Sequence, residues 1–185
     1  VEEADFLLDI HSMQHKTPAL LICGPHRKGQ VFSQKLLTPQ YIVSDRGHDN
    51  GGRMRDFKEF GDPNSPKKSL LIECGQHWEL KSADIAIDSA LRFLRLFDMI
   101  DSDFCKYKYL PLPKKQIMIE VFEPVTIKSN SFVFAESFVG FELFKEKGSV
   151  IGWDGEEAIL TPYENCILIM PSSRLAKGQT AVRLG

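Results

Sequence analysis

Short apolar runs bounded by polar or turn residues recur at Phe6 to Ile10, Ala19 to Cys23, Tyr41 to Val43 and Leu70 to Ile72. Such runs suit strands buried on both faces, the habit of a parallel sheet covered by helices. Between the second and third runs, Val31, Phe32, Leu36 and Leu37 within Gln30 to Leu37 make one face of a short helix, which gives a strand, helix, strand rhythm. The clearest helix is Ala83 to Asp98. Ala83, Ile87, Ala90, Leu91, Leu94 and Phe97 fall at steps of three or four and predict one buried stripe. Ser82 is the expected cap, Asp84 lies in the first turn, and Arg92 and Arg95 lie near the end where the helix dipole favours cations.

The pattern changes at 109–115, Tyr-Leu-Pro-Leu-Pro-Lys-Lys, where two prolines and two lysines predict a linker. Beyond it the period shortens toward two. Ile117, Ile119 and Val121, then Phe132 to Phe134, Val139 with Phe141 and Leu143, Ala158 to Leu160 and Ile167 to Met170 are separated by turns such as Lys147-Gly148-Ser149 and Asp154-Gly155. The expected organisation is an α/β domain at 1–108, a linker at 109–115, and a small all-β domain at 116–185.

Composition narrows the class. With 185 residues, 43% hydrophobic and 26% charged, the chain is neither collagen, coiled coil nor bulk disorder. Its 23 basic and 25 acidic residues leave a net charge of -2, so no whole-chain field attracts nucleic acid or anionic lipid, and neither is an expected partner. No apolar run approaches the roughly 20 residues that span a bilayer. Cys23, Cys74, Cys105 and Cys166 have no C-x-x-C spacing and read as reduced thiols, which fits a cytoplasmic setting. The chain opens Val1-Glu2-Glu3 and is within an apolar run by Phe6, so it is expected to be the carboxyl-terminal piece of a longer polypeptide.

Two run ends carry candidate chemistry. The first run leads into Asp9-Ile10-His11-Ser12, placing an imidazole where an α/β sheet binds its ligands. The fourth ends in Glu73-Cys74-Gly75, a carboxylate followed by a residue that lets backbone approach closely. Burial raises the pKa of such a carboxylate and suits a general base. The plainer alternatives stay open: Glu73 accepting hydrogen bonds from a loop or from Arg53 or Arg55, and His11 as a hydrogen-bonded histidine at a strand end. Asp45 to Lys68 is polar and rich in Gly, Asp, Asn and Pro, the composition of a functional loop.

Leu7-Leu8-Asp9-Ile10-His11-Ser12 and Leu71-Ile72-Glu73-Cys74-Gly75-Gln76-His77, followed by a long amphipathic helix and a β domain, resemble the succinylglutamate desuccinylase and aspartoacylase family of zinc amidohydrolases. The resemblance covers the later half of the family's pattern. It implies a zinc carboxypeptidase-like, mostly parallel sheet, here partial, followed by a small barrel-sandwich β domain. It also implies a zinc cofactor, with His11 as the third ligand, Glu73 as the catalytic carboxylate, and Asp9 orienting His11 or serving only structure. A substrate carboxylate falls to Arg53, with Arg55 as its rival, and the implied substrate is an N-acyl amino acid or related small amide or ester. The family's first two ligands lie in an upstream His-x-x-Glu followed by an Asn-Arg pair, and neither occurs in this chain, so two ligands are expected before Val1. His15, four residues from His11, would share its face only in a helix and is a poor replacement ligand, while His26, His48 and His77 read as exposed and metal-free.

Two alternatives remain: a non-catalytic binding module, and a degenerate relative that uses its β domain. Residues 132–185 are similar to lipoyl and biotinyl carrier domains, but the turn Pro162-Tyr163-Glu164-Asn165 has no lysine to modify. The β domain is therefore expected to shape the site entrance or a homo-oligomer contact. Tyr163 reads as a turn residue beside Pro162.

Overall fold

A computed structural model describes residues 2–47 and 52–185. His48 and the Asp-Asn-Gly that follows it lie outside the described residues. The chain divides into two units, Val1–Glu120 and Val121–Gly185.

The first unit contains β1 (Phe6–Met13), β2 (Leu20–Ile22), α1 (Arg27–Lys35), β3 (Tyr41–Ser44), β4 (Lys68–Gln76), α2 (Leu80–Arg95) and β5 (Ile117–Glu120). The strands form one sheet in the order β1-β4-β2-β3-β5. Every neighbouring pair is parallel except β2 with β4. Alternation along the strands sorts the apolar residues to two faces. Leu21, Ile42, Leu70 and Ile72 meet Phe32 and Leu36 of the α1 region and Phe93 of α2 in one core, so both helices cover the same face. Phe6 stacks on Phe97 with ring centroids 3.7 Å apart, tying the start of β1 to the end of α2. Leu20, Ile22, Val43 and Leu71 are buried on the opposite face.

Three differences from the sequence pattern have physical causes. β1 is not buried on both faces, because it is an edge strand with a partner on one side, and Ile10 is 45% exposed. The helix begins at Leu80, with Ser82 inside it rather than capping it and no acidic residue in its first turn; Ser82 Oγ donates to the Gln76 carbonyl at 2.8 Å. Its buried side runs through Ser82, Ser89 and Phe93, with Ile85, Ala86, Leu96 and Phe97 packed on the core, while Ala83 and Ile87 face solvent. Small hydroxyl residues allow close approach to β4, so the contact side is not the most apolar one.

The domain boundary also falls later than composition indicates. Ile117–Glu120 pairs with β3 and completes the first sheet, so the first unit runs to Glu120. The proline-rich stretch is tied to α2. Asp88 accepts two bonds from Arg92 Nε, at 2.9 and 3.1 Å, and one from the Leu110 N–H at 2.9 Å, while Arg92 Nη2 donates to the Leu110 carbonyl.

The second unit holds β6 (Glu123–Thr126), β7 (Phe132–Phe134), β8 (Leu143–Phe144), β9 (Val150–Asp154), β10 (Glu157–Leu160), β11 (Cys166–Ile169) and β12 (Thr180–Leu184). They form two antiparallel sheets, β10-β9-β7 and β6-β12-β11-β8. Ile151 from one sheet packs with Cys166, Leu168, Val182 and Leu184 from the other. At the end of β9, Asp154 accepts hydrogen bonds from the backbone of Lys128 and Ser129, and these with the Ser129 side chain hold its carboxyl below the usual range. Among the described residues no helix is long and apolar enough to cross a membrane.

Gly29 lies where α1 meets the end of β2, and a Cβ there would sit 1.9 Å from the Cys23 carbonyl oxygen. Alanine normally favours a helix over glycine by about 1 kcal/mol. Here the clash is with backbone and outweighs that gain. Gly29→Ala is expected to lower stability by about 1–3 kcal/mol in urea unfolding.

Candidate active site

β1 and β4 are parallel neighbours in a register that sets His11 directly opposite Glu73. Paired residues on adjacent strands project to the same side of a sheet. Because Leu70 and Ile72 face the helices, Glu73 and His11 project from the opposite face. Just past this pair the register slips, so that Met13 meets Gln76, and β4 carries an extra residue. Gly75 makes the bulge with φ 115°, and a Cβ there would lie 2.8 Å from Ser82 Oγ. Glycine is therefore required both by conformation and by space.

The side chains are arranged around this pair. His11 Nε2 and Asp9 Oδ1 are 2.8 Å apart, with the imidazole 47% exposed and the carboxylate 18%. Asp9 thereby fixes the ring and leaves Nδ1 as the lone-pair nitrogen. Glu73 is 9% exposed, and its buried Oε2 has no hydrogen-bond partner among the described residues. Burial pushes the Glu73 carboxyl above its ordinary range, His11 and Arg53 pull it back, and Asp9 pushes it up further. An orphaned carboxylate oxygen beside an oriented imidazole is a costly arrangement for packing alone.

The two arginines have different surroundings. Arg53 donates through Nη2 to Asp45 Oδ2 at 3.0 Å, and its buried Nη1 has no partner among the described residues. Arg55 is 2% exposed and donates to Asp56 Oδ2 at 2.7 Å and to the Asp45 carbonyl at 3.3 Å. A Cβ on Gly24 would lie 2.0 Å from Arg55 Nη1, so the guanidinium occupies space that only glycine leaves open. Arg55 is thus a buried support for its loop, and Arg53 is the arginine that acts on Glu73.

His77 shares a 2.6 Å hydrogen bond with Ser12 Oγ, and its N–H donates to the Met13 carbonyl. Asp45 was not singled out by sequence, although it follows the apolar run of β3 as Glu73 follows that of β4, the same signal. In the second unit, burial, and then the neighbouring Cys166 thiol, push the pKa of the Tyr163 hydroxyl up. Among the described residues no group of three or more His, Cys, Asp or Glu side chains is placed to hold a metal ion. His11 is a fitting zinc donor in kind, and the set falls short in number.

The fold of this chain is similar to that of solved succinylglutamate desuccinylase and aspartoacylase structures. The structure of succinylglutamate desuccinylase from Vibrio cholerae matches with TM-score 0.66 and 20% identity, over 96% of this chain and 52% of that one. The product-bound ectoine utilization protein EutE (DoeB) from Ruegeria pomeroyi matches with TM-score 0.67 and 14% identity, over 100% of this chain and 58% of that one. A succinylglutamate desuccinylase/aspartoacylase from Rhodobacter sphaeroides matches with TM-score 0.66 and 12% identity, covering 100% and 59%. The chain spans little more than half the length of these structures. No family model and no curated protein matches the sequence.

The raised pKa of Glu73 has a consequence for stability. Above the unfolded value, about 4.3, the unfolded chain has released a proton that the folded chain still holds. Stability therefore falls as pH rises from that value through the raised folded one. Glu73→Gln removes this dependence. Urea unfolding at pH 4 and pH 7 is expected to show the variant gaining on the wild type at the higher pH.

Proposed function

We propose that this chain is the later part of a zinc-dependent hydrolase of an N-acyl amino acid or a related small amide or ester, with a zinc carboxypeptidase-like sheet and a barrel-sandwich β domain. The observation that carries the reading is the His11–Glu73 register pair, with Oε2 of Glu73 buried and unpartnered and His11 held by Asp9. In this reading His11 offers Nδ1 to the metal, and the remaining protein ligands come from residues outside this chain. A zinc ion so held is a Lewis acid that brings the pKa of a water to about 7 and polarises a carbonyl.

The chain's own residues account for the proton movements. Glu73 accepts a proton from the attacking water and returns it to the departing amine nitrogen, which a carboxyl raised by burial does efficiently near neutral pH. Asp9 keeps the imidazole in one tautomer and orientation. Arg53, with one guanidinium nitrogen on Asp45 and another unpartnered, offers a charge-assisted bond to a substrate carboxylate. Four free cysteines, three of them buried, suit a reducing cytoplasm.

The full polypeptide is expected to bind about one zinc per chain, the single site this mechanism needs. Glu73→Gln is expected to lower turnover by about 10²–10⁴-fold with zinc content unchanged. Asp9→Asn is expected to weaken zinc binding about 10–100-fold in a chelator competition. Wild-type turnover in Glu73→Gln removes the general base. A full polypeptide without zinc or turnover favours a non-catalytic module.

A further inference from the structure

A concavity lies on the helix-covered face of the first sheet, away from His11 and Glu73. It has a volume of about 340 Å³ between α1, the end of α2 and the start of β4. Its floor is apolar, formed by Val31, Phe32, Leu96 and Phe97. Phe97 is fixed in place, being stacked on Phe6 and 5.9 Å from the ring of Phe32. The floor is therefore a preformed part of the core.

Its rim is basic: Arg27, Lys28, Lys35 and Lys68 all line it. Lys28 is committed to the loop, donating to the carbonyls of Glu59, Asp62 and Lys67. The other three have no ion pair among the described residues. Lys68 lies 5.7 Å from the Phe6 ring centroid; burial first, and then the Lys68 charge, lower the pKa of Lys28 against the opposing pull of Asp62 and Glu59. In a chain of net charge -2 this is a local concentration of cations around an apolar floor: Asp62 and Glu59 act on Lys28, while Arg27, Lys35 and Lys68 have no ion pair among the described residues. Like charges brought together without counter-charges weaken a fold unless an anion joins them.

We propose that this groove binds a soluble medium-chain acyl carboxylate, its chain on Phe32, Leu96 and Phe97 and its head group among Arg27, Lys35 and Lys68. The apolar body explains the floor, and the carboxylate explains the rim. A chain of about ten carbons suits a pocket of this size. The site lies on the opposite face from the His–Glu pair and does not depend on the hydrolase reading.

Isothermal titration of the full polypeptide with decanoate tests the proposal, with decanol and acetate as the two halves of the ligand. Decanoate is expected to bind at one saturable site, at least about tenfold more tightly than decanol, while acetate does not saturate, and raised salt is expected to weaken decanoate binding. Val31 and Lys35 are exposed, so Val31→Trp and the pair Arg27→Gln with Lys35→Gln should fold normally. Each is expected to weaken decanoate about tenfold or more, one by filling the groove and the other by removing charge. Equal affinity for decanol and decanoate overturns the proposal. So does binding only to phosphatidylglycerol vesicles, which makes the face a membrane contact. Concentration-dependent dimerisation abolished by Val31→Trp, without decanoate binding, makes it a self-contact and overturns the proposal as well.

Discussion

The parallel pairing of β1 with β4 is the constraint on which the rest of the first unit depends. Its register sets His11 opposite Glu73, and the alternation of a strand sends both away from the helices. A slip of one residue would move the imidazole to the helical face and expose the apolar side chains that β1 contributes to the core. Core and site are therefore specified by the same hydrogen-bond ladder. Phe6 and Leu8 pack against the helical core, while Asp9 and His11 form the polar pair on the other face. The bulge at Gly75 ends this register just past the His11–Glu73 pair. Ser82 then approaches the glycine closely, so the turn into α2 is fixed by contact as well as by conformation.

In the described residues between β3 and β4, buried charge joins the buried Phe60 in organising the chain. Arg55 is nearly inaccessible, and such a guanidinium is tolerable only because Asp56 and the Asp45 carbonyl receive it. Ser69, at the start of β4, donates to the Arg55 carbonyl at 2.6 Å and anchors the same point from the sheet side. Farther along, Lys28 gathers the carbonyls of Glu59, Asp62 and Lys67, satisfying backbone acceptors that have no ladder to join. Arg53 inherits its position from these supports. Its own tie to Asp45 leaves Nη1 without a partner among the described residues, and its charge acts on Glu73 from a distance.

The mostly parallel sheet, the short first helix and the all-β second unit were legible because apolar runs and period-two alternation report burial directly. His11 and Glu73 were legible as polar residues at the ends of such runs. What could not be read was governed by shape. The buried side of α2 is lined by Ser82 and Ser89, which hydrophobicity alone assigns to solvent, and Ile87 is exposed in spite of its side chain. Composition placed a linker at 109–115, whereas hydrogen bonds from Asp88 and Arg92 hold Leu110 on α2 and Ile117–Glu120 returns to the sheet. Position alone ranks Arg53 above Arg55 in the sequence; the physical difference between them lies in Gly24, far earlier in the chain, which opens the space that Arg55 fills.

The segment from Asp45 to Lys68 joins the two faces of the sheet. Near its start, Arg53 acts on the carboxylate that projects from the open face. At its end, Lys68 begins β4 and lines the groove under the helices, next to the Lys28 that binds the loop's last carbonyls. A polar segment with little core of its own is thus held at both ends by cations, each satisfying backbone or carboxylate oxygens. Replacing those cations by apolar residues would leave carbonyls unpaired on both sides of the sheet. Among the described residues of this stretch, the ties of Arg53 and Arg55 to Asp45 and Asp56, and of Lys28 to the carbonyls of Glu59, Asp62 and Lys67, are the contacts its charged composition serves, and Arg53 at its near end acts on Glu73.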